Sequence, residues 1–177
     1  MEEIKELYGR LALPKNGSTW YAVWTKPRRE KKVAKACVDY SISYFLPLRE
    51  SCRRYHNRVL TFTKPLFPGY IFCCCDIYGK RQLYQLGHIC KFIEAKDQET
   101  LVQELSRIYN LRQKGAQLFP HTYLQRGKSV RIIKGPFAGF KGKISHRKDK
   151  YRLVLNIDLI KQAVALEIDA ENVELIE

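Results

Sequence analysis

Hydrophobic residues near the start of the chain recur with the periods of two short strands and an intervening helix. Residues 20–25 form an apolar, aromatic run that predicts a buried strand, and residues 43–48 predict a second one. Pro27 opens the helix between them. The apolar positions of this helix follow helical spacing and are Val33, Ala36, Cys37 and Tyr40. The pattern predicts a sheet with a helix packed on it.

A hairpin and a long strand come next. Residues 49–58 are strongly basic and residues 59–63 alternate, which predicts a hairpin or an extended basic loop with a returning strand. Residues 66–75 form the most strand-like run of the chain, interrupted by Pro68 and Gly69. The period of two places three side chains of this strand on one face: Tyr70, Phe72 and Cys74.

Two further helices and a strand complete the first half. The pattern predicts a short helix over residues 80–86, a strand over 89–93, and a helix ending near residue 114. The last helix carries Leu101, Leu105 and Ile108 at helical spacing. We therefore expect a small α/β sandwich over residues 20–114, preceded by a flexible lead-in over residues 1–19.

The second half has a different pattern. Residues 115–126 show no period and predict a linker. The following residues predict short strands over 129–133, 141–147, 151–157, 162–168 and 173–176, with glycines at the turns. Five short strands predict a small β-barrel over residues 127–177. The expected fold class is α+β: a sandwich joined by the linker to the barrel. Residues 155, 159, 163 and 166 also recur at helical spacing, but the β-branched residues favour the barrel.

Composition adds a partner class to this picture. The 177 residues include 32 Lys and Arg against 18 Asp and Glu, a formal net charge of +14, and 45% are hydrophobic. The chain can therefore bury a core, and its charge predicts a polyanionic partner. No long apolar run and no secretory leader pattern is present. We expect a cytoplasmic protein without a membrane partner.

Cysteine and histidine positions argue against metal and enzyme chemistry. The six cysteines lack the paired short spacings of a zinc site, and three of them are consecutive. We expect free thiols packed as small hydrophobes, no metal and no cofactor. The four histidines are scattered, and no HExxH, nucleophile-elbow or P-loop pattern occurs. The sequence therefore predicts a binding protein and not an enzyme.

Two motifs go beyond composition. The segment Gly127-Lys-Ser-Val-Arg-Ile-Ile-Lys-Gly-Pro-Phe-Ala-Gly-Phe-Lys-Gly-Lys-Ile144 resembles a KOW motif. The segment Pro65-Leu-Phe-Pro-Gly-Tyr-Ile-Phe72, preceded by Trp20-Tyr-Ala-Val-Trp24, resembles the NGN domain of bacterial NusG-type transcription elongation factors. Tyr44-Phe-Leu-Pro47 and Lys64-Pro-Leu-Phe-Pro68 are similar to the specialised antiterminator paralogues of the RfaH, UpxY and LoaP type.

The resemblance implies a contact with RNA polymerase. In this family the NGN domain binds the clamp helices of the largest catalytic subunit and reduces pausing. Such a contact requires an exposed apolar patch. The matching positions are Trp24, Phe67, Tyr70, Phe72 and, from the later strand, Phe92. The same side chains also suit a hydrophobic core, and we expect Phe67, flanked by prolines, to be accessible.

The resemblance also implies contact with nucleic acid, either the non-template DNA strand or nascent RNA. Lys26, Arg28 and Arg29 match the place where family members approach DNA, and phosphate contacts there give affinity without sequence information. The hairpin residues Arg49, Arg53, Arg54, Tyr55, His56 and Arg58 interleave cations with an aromatic ring, as base-stacking surfaces do. A solvated basic face would have the same composition.

The KOW resemblance implies a second protein partner. Phe137 lies in the Gly135–Gly139 turn, where relatives contact a ribosomal protein of the small subunit or Rho. The sequence thus leaves open an operon-specific antiterminator, a housekeeping factor coupled to Rho or the ribosome, and a KOW-containing ribosomal or RNA-binding protein. We expect a monomer.

Overall fold

The computed structural model describes residues 4–56, 58–147 and 150–176. The chain divides into two compact units, Met1–Val102 and Gln103–Glu177. The division lies inside a long helix, before the linker that the sequence predicts. The boundaries that the sequence predicts for the sandwich (20–114), the linker (115–126) and the barrel (127–177) therefore remain predictions.

The first unit contains a five-stranded antiparallel sheet and a separate two-stranded hairpin. Its elements are β1 (Leu7–Tyr8), β2 (Thr19–Thr25), α1 (Glu30–Asp39), β3 (Ser43–Phe45), β4 (Leu48–Tyr55), β5 (Arg58–Pro65), β6 (Tyr70–Cys75), α2 (Ile77–Gln85), β7 (Ile89–Glu94) and the first residues of α3 (Gln98–Gln113). The strand order in the sheet is β1-β3-β6-β2-β7, and β4 pairs only with β5 among the described residues. The predicted strands, helices and hairpin are confirmed.

One hydrophobic core of this unit lies between the sheet and helices α1 and α2. Val33 and Cys37 of α1 pack with Leu83 of α2 and with Val23 and Ile71 of the central strands. Every second side chain of β6 therefore packs against the helices, as the predicted strand alternation requires. Tyr40, counted in the helical pattern, is instead 40% exposed, since α1 ends at Asp39.

Part of the lead-in over residues 1–19 is ordered, which corrects the prediction that this segment is flexible. Strand β1 pairs with β3 and forms the edge of the sheet. The Leu46 N–H donates to the Glu6 carbonyl at 2.7 Å, and the Trp20 Nε1–H donates to the Ala12 carbonyl at 2.9 Å. Pattern analysis missed this order because a polar segment without a period can still pair through its backbone.

All six cysteines are free. The Cys37 and Cys73 sulfurs lie 3.7 Å apart in the core. Burial raises the pKa of Cys74 to about 11 and that of Cys75 to about 12. Burial likewise raises the pKa of Cys73. The interpretation as packed hydrophobes holds for Cys37, Cys73 and Cys75, whereas Cys52 and Cys90 are exposed.

The second unit is a six-stranded antiparallel sheet. Its strands are β8 (Phe119–Thr122), β9 (Ser129–Ile132), β10 (Lys141–Arg147), β11 (Lys150–Ile157), β12 (Gln162–Ile168) and β13 (Val173–Leu175), in the order β13-β9-β10-β11-β12-β8. The five predicted strands are β9 to β13, and they are confirmed. Gly142 is required in β10, since a Cβ there would lie 2.8 Å from the Val154 carbonyl oxygen of the neighbouring strand β11.

The predicted linker is partly structured, which is a second correction. Residues 119–122 form β8 and pair with β12. The Asn156 side chain accepts a hydrogen bond from the Leu124 N–H at 3.1 Å and donates to the Leu124 carbonyl at 2.9 Å. Lys143 Nζ donates to the same carbonyl at 3.1 Å. Side chains distant in sequence thus fix a segment that has no periodicity of its own.

Candidate functional site

An exposed indole stands at the end of β2, opposite a tyrosine. Trp24 pairs with Tyr70 of β6 and is 48% exposed. The turn over residues 67–70 closes with a hydrogen bond from the Tyr70 N–H to the Phe67 carbonyl at 3.0 Å. Pro68 occupies its second position, and Gly69, with φ of +85°, its third, as a type II turn requires. The turn places Gly69 against the edge of the Trp24 indole.

A buried carboxylate fixes this turn to the rest of the unit. Glu30, the first residue of α1, is 6% exposed, and its Oε1 accepts a hydrogen bond from the Gly69 N–H at 2.7 Å. The Gly69 carbonyl accepts from the Thr25 N–H at 2.8 Å. The position of Trp24 is therefore set jointly by β2, by the turn and by the N-terminus of α1.

The backbone after Trp24 is irregular. The register between β2 and β7 shifts at Trp24 and Thr25, which is a β-bulge beside Cys90. Bulges re-aim neighbouring side chains and are frequent near functional sites. Arg28 then adopts a φ of +61°, a conformation that non-glycine residues seldom occupy. Both features direct the chain from the sheet into the basic start of α1.

The β4–β5 hairpin presents one basic and aromatic face. Its register places Arg49 directly opposite Lys64, and Arg53 opposite Leu60. The Phe62 ring lies between two cations, with the Arg53 guanidinium 6.0 Å and the Lys64 Nζ 5.1 Å from its centroid. Since strand side chains alternate, these five residues share one face of the hairpin.

Helix α1 holds the hairpin in place. Lys31 Nζ donates to the Thr63 carbonyl at 2.9 Å and to the Thr63 hydroxyl at 2.6 Å. Between the hairpin and the junction of β2 with α1 lies an open cleft of about 920 Å³. It is lined by Trp24, Thr25, Pro27, Arg28, Glu30, Lys31, Arg49, Arg53, Leu60, Phe62, Thr63, Lys64, Pro65, Pro68, Gly69 and Cys90. We call it the hairpin cleft.

The hairpin cleft is positively charged. Five of its lining side chains are cations: Arg28, Lys31, Arg49, Arg53 and Lys64. Among the described lining residues Glu30 is the single carboxylate, and it is hydrogen-bonded to Gly69. The Arg49 Nε is buried and has no hydrogen-bond acceptor within the described parts of the chain. Such an arrangement favours an anionic ligand.

The residues predicted to contact polymerase separate into three groups. Trp24 is exposed and Tyr70 is half-buried. Phe67 and Phe72 are 1% and 0% exposed, and their rings meet edge to face at 5.9 Å. The expected accessibility of Phe67 is wrong, because the turn folds its ring inward. The flanking prolines therefore mark the turn and not exposure.

Phe92 does not join this group. It pairs with Val23 in the register of β7 and β2, so it lies on the face that packs against α1 and α2. Its ring contacts Tyr21 edge to face at 5.5 Å and stacks with Tyr84 at 6.1 Å. Lys80 Nζ lies 5.4 Å from the same ring. Trp24 and Phe92 thus face opposite sides of the sheet.

The hairpin cleft gathers only some of the predicted nucleic-acid residues. Arg28, Arg49 and Arg53 line it. Six others do not line it: Lys26, Arg29, Arg54, His56, Arg58 and Tyr55. Arg54 belongs to the opposite face of the hairpin by alternation, His56 and Arg58 are exposed at its turn, and the Tyr55 side chain lies outside the described part of the structure.

Sequence reasoning missed Lys31, Phe62 and Lys64. Two of them could have been found from strand alternation. Once the register of the hairpin is known, Phe62 and Lys64 fall on the same face as Arg49 and Arg53. Lys31 carried no such signal. Its position in the cleft depends on the angle between α1 and the hairpin.

In the second unit, Phe137 lies half-buried in a turn with Gly135 and Gly139, whose φ values are +83° and +91°. Phe140 is half-buried as well, with the Lys114 Nζ 5.2 Å from its ring centroid. Neither phenylalanine ring is fully buried.

A cluster of polar groups joins α3 to the turn between β11 and β12. Both oxygens of Glu104 accept from the Asp158 N–H at 3.3 Å, and the Tyr123 hydroxyl donates to the Asp158 Oδ1 at 2.6 Å. Burial raises the pKa of Glu104 to about 7, and the nearby Asp158 charge acts in the same direction. The hydrogen bond from the Asp158 N–H opposes this shift.

Within the described ranges no three His, Cys, Asp or Glu side chains lie close enough to hold a metal ion. No helix in the part of the chain that the structure describes is long and apolar enough to cross a membrane.

The fold and the site define a class: a two-unit protein with a cationic, aromatic-lined cleft on an α/β sheet and a separate small β-sheet unit. The family model described as "Transcription termination factor nusG" matches residues 18–112, more than half of the chain, and the KOW motif model matches residues 126–156. The chain therefore belongs to the NusG family of transcription factors.

Individual relatives are distant. The transcription termination/antitermination proteins NusG of two Helicobacter pylori strains, J99 and 26695, are each 24% identical over 174 residues, which covers 89% of this chain and 98% of theirs. A solved chain of the MjSpt4:Spt5 complex, conformation B, aligns with 16% identity and a TM-score of 0.29, covering 89% of this chain and 97% of that one.

Proposed function

We propose that this protein binds bacterial RNA polymerase through its first unit, suppresses pausing and promotes read-through of particular operons. It acts in the cytoplasm, where the polymerase works, and it catalyses no reaction of its own. The observation that carries this proposal is the match of the NusG family model to the unit that presents Trp24 and Tyr70.

The proposed polymerase contact is centred on Tyr70. This side chain is half-buried at the start of β6, next to the Pro68–Gly69 turn, and the buried pair Phe67 and Phe72 supports the strand beneath it. A rigid, partly apolar surface of this kind suits a protruding helical partner. Trp24 lies at the border between this surface and the hairpin cleft.

The basic residues of the hairpin and of α1 support a contact with the non-template DNA strand or the nascent RNA. The chain carries a formal net charge of +14, and the first unit concentrates five cations around one cleft. Contacts of this type weaken with added salt because bound counterions are released. The proposed role of the second unit is to bind a ribosomal protein or Rho at the turn that holds Phe137.

The test is transcription by the cognate RNA polymerase through a pause site and a terminator. Wild-type protein is expected to shorten the pause and to increase read-through, and Tyr70→Ala is expected to lose both effects while Tyr70→Phe keeps most of them. Tyr40→Ala serves as a matched control, since Tyr40 is exposed at the end of α1. An unchanged pause with wild-type protein on the cognate polymerase would refute the proposal.

A housekeeping role is the second candidate. It is supported by the two Helicobacter proteins named transcription termination/antitermination protein NusG, which this chain covers almost completely. A factor of that type is expected to stimulate Rho-dependent termination on many templates. An operon-specific antiterminator instead requires a particular leader sequence. Assays on several unrelated leaders, with and without Rho, separate the two.

A further inference from the structure

Two buried thiols of the first unit are in contact. Cys37 of α1 and Cys73 of β6 are each 0% exposed, and their sulfurs lie 3.7 Å apart. Within the described parts of the chain, no other two sulfurs make such a contact. A disulfide bond measures about 2.0 Å, so these sulfurs need to approach by roughly 1.7 Å to form one. The pair does not line the hairpin cleft.

The cysteines that follow along β6 are placed less well for a cross-link to α1. Cys74 lies on the opposite face of the strand from Cys73, because strand side chains alternate. Cys75 shares the core with Cys37 and Cys73, but within the described residues its sulfur contacts neither of theirs. The geometry therefore selects Cys73 as the partner of Cys37.

The apolar surroundings favour a disulfide as the product of oxidation. The two thiols pack in one cluster with Val33, Ile71 and Leu83. A sulfenic acid in this cluster would bury a polar hydroxyl group at a cost in free energy, whereas a disulfide contains no polar hydrogen. A bulky thiol such as glutathione has no access to a sulfur that is 0% exposed. Burial also raises the pKa of Cys73, so little thiolate is present at neutral pH and brief exposure to oxidant leaves the pair reduced.

From this geometry we infer that Cys37 and Cys73 form a reversible redox switch, which a hydroperoxide closes to a disulfide and a dithiol reopens. One thiol is first oxidised to a sulfenic acid; the O–O bond of the peroxide breaks, and water or an alcohol leaves. The second thiol then attacks the sulfenic sulfur, the S–S bond forms, and the hydroxyl group leaves as water with the proton of that thiol. The two sulfurs supply the two electrons that reduce the peroxide. Exchange with a dithiol returns both thiols and leaves the dithiol oxidised.

The disulfide would close a loop that contains the whole β4–β5 hairpin. Cys37 and Cys73 are 36 residues apart in sequence, and β3, β4, β5 and the Pro68–Gly69 turn lie between them. A cross-link over such a loop stabilises a protein mainly by restricting its unfolded chain. We expect the first unit to melt about 10 °C higher in the oxidised protein than in the reduced protein. This inference goes beyond the proposed function and does not depend on it.

The test treats the full-length protein in native buffer with hydrogen peroxide, removes the peroxide with catalase, and then unfolds the protein in an alkylating reagent. Mass spectrometry of the unreduced peptides identifies the linked cysteines. We expect the peptides of Cys37 and Cys73 to be joined, and dithiothreitol to separate them. Exposed Cys52 and Cys90 can link two molecules, so the double variant Cys52→Ser, Cys90→Ser is treated in parallel and should give the same internal cross-link.

Melting curves supply a second readout. Cys73→Ala is expected to lose the rise in melting temperature that peroxide causes. Cys75→Ala is the matched control, because Cys75 lies on the same face of β6 in the same core, and it should keep the rise. The peptide map of the wild-type protein needs no variant, so it decides the question even where a substitution in the core prevents folding.

Three results would overturn the inference. One is a cross-link from Cys37 to Cys75 in place of Cys73. Another is a cross-link that forms only when peroxide is added together with denaturant, which would show that the folded protein keeps the sulfurs apart. The third is a pair that stays reduced, or is oxidised to sulfinic acid, after prolonged treatment of the folded protein. None of these results affects the pausing assay, so failure of the switch and failure of the proposed function are distinguishable.

Discussion

Lys31 of α1 donates two hydrogen bonds to Thr63 of the hairpin, one to its carbonyl at 2.9 Å and one to its hydroxyl at 2.6 Å. The hairpin forms no ladder with the five-stranded sheet among the described residues. Lys31 is therefore a direct link between the hairpin and the helix, and it lies in the lining of the hairpin cleft.

Replacing this lysine should loosen the hairpin without unfolding the unit. Since the contact is exposed, Lys31→Met is expected to lower the free energy of unfolding by no more than about 1 kcal/mol. Hydrogen exchange of the β4 and β5 amides should become faster, while exchange in β2 and β6 stays unchanged. Lys32→Met, on the exposed side of α1, is the control; similar exchange rates in both variants would contradict the role of Lys31.

Gly69 is required by backbone conformation and not by space. A Cβ at this position would lie 3.7 Å from the Trp24 indole, an ordinary contact, but its φ of +85° is strained for other residues. Gly69→Ala is expected to cost about 1–2 kcal/mol in chemical denaturation. Gly69→Asn should cost less, since asparagine enters the left-handed region more readily. Equal losses in the two variants would indicate a packing cause.

The main role of the Phe67 side chain is to stabilise the fold, because the ring is buried and not available to a partner. Its ring is 1% exposed and packs on Phe72 at 5.9 Å. Phe67→Ala is expected to cost about 3–5 kcal/mol, the range for a buried aromatic side chain. Tyr70→Ala, at a half-buried site, should cost clearly less. Denaturant titrations of both variants check this order, which decides whether an activity loss in either one can be assigned to the polymerase contact.

The second unit should lose stability as the pH rises towards neutrality. The pKa of Glu104 is raised from its ordinary 4.5 to about 7, mainly by burial, so the folded protein binds this proton more tightly than the unfolded chain does. The resulting stabilisation is complete below about pH 4.5 and is lost as the pH rises through 7. Melting temperatures of wild type and Glu104→Gln between these values test this, because the amide cannot ionise. A pH dependence that survives in Glu104→Gln would exclude Glu104 as the cause.

Native thiol chemistry should separate the cysteines into two classes. Cys52 and Cys90 are exposed and are expected to react rapidly with an alkylating reagent. Reaction at Cys74 and Cys75 should be slow, because burial raises their pKa values to about 11 and about 12 and leaves little thiolate at neutral pH. Cys37 and Cys73 are buried and should also resist. Mass spectrometry of peptides after a short exposure identifies the labelled positions, and denaturant should make all six reactive.

Most of the secondary structure could be predicted because it depends on local patterns. The apolar periods at Val33 and Cys37 and at Leu101 and Leu105 identified α1 and α3, and the alternation after residue 128 identified the strands of the second unit. The segments that pattern analysis misjudged, β1 and β8, are held by partners far along the chain. Their pairing with β3 and β12 satisfies backbone groups and leaves no hydrophobic signature.

The sequence by itself determined the charge, the order of all elements except β1 and β8 and, through residues 65–72 and 127–144, the NusG family. Only the tertiary structure decided which aromatic rings are available. Phe67 and Phe92 have the same chemistry as an exposed contact residue, yet one packs into the core and the other lies on the helix-covered face. Exposure depends on what packs against a face of a strand, and alternation along that strand cannot supply this information. The hairpin cleft likewise depends on tertiary contacts, since residues of β2, α1 and the hairpin line it together and Lys31 of α1 contacts Thr63 of the hairpin.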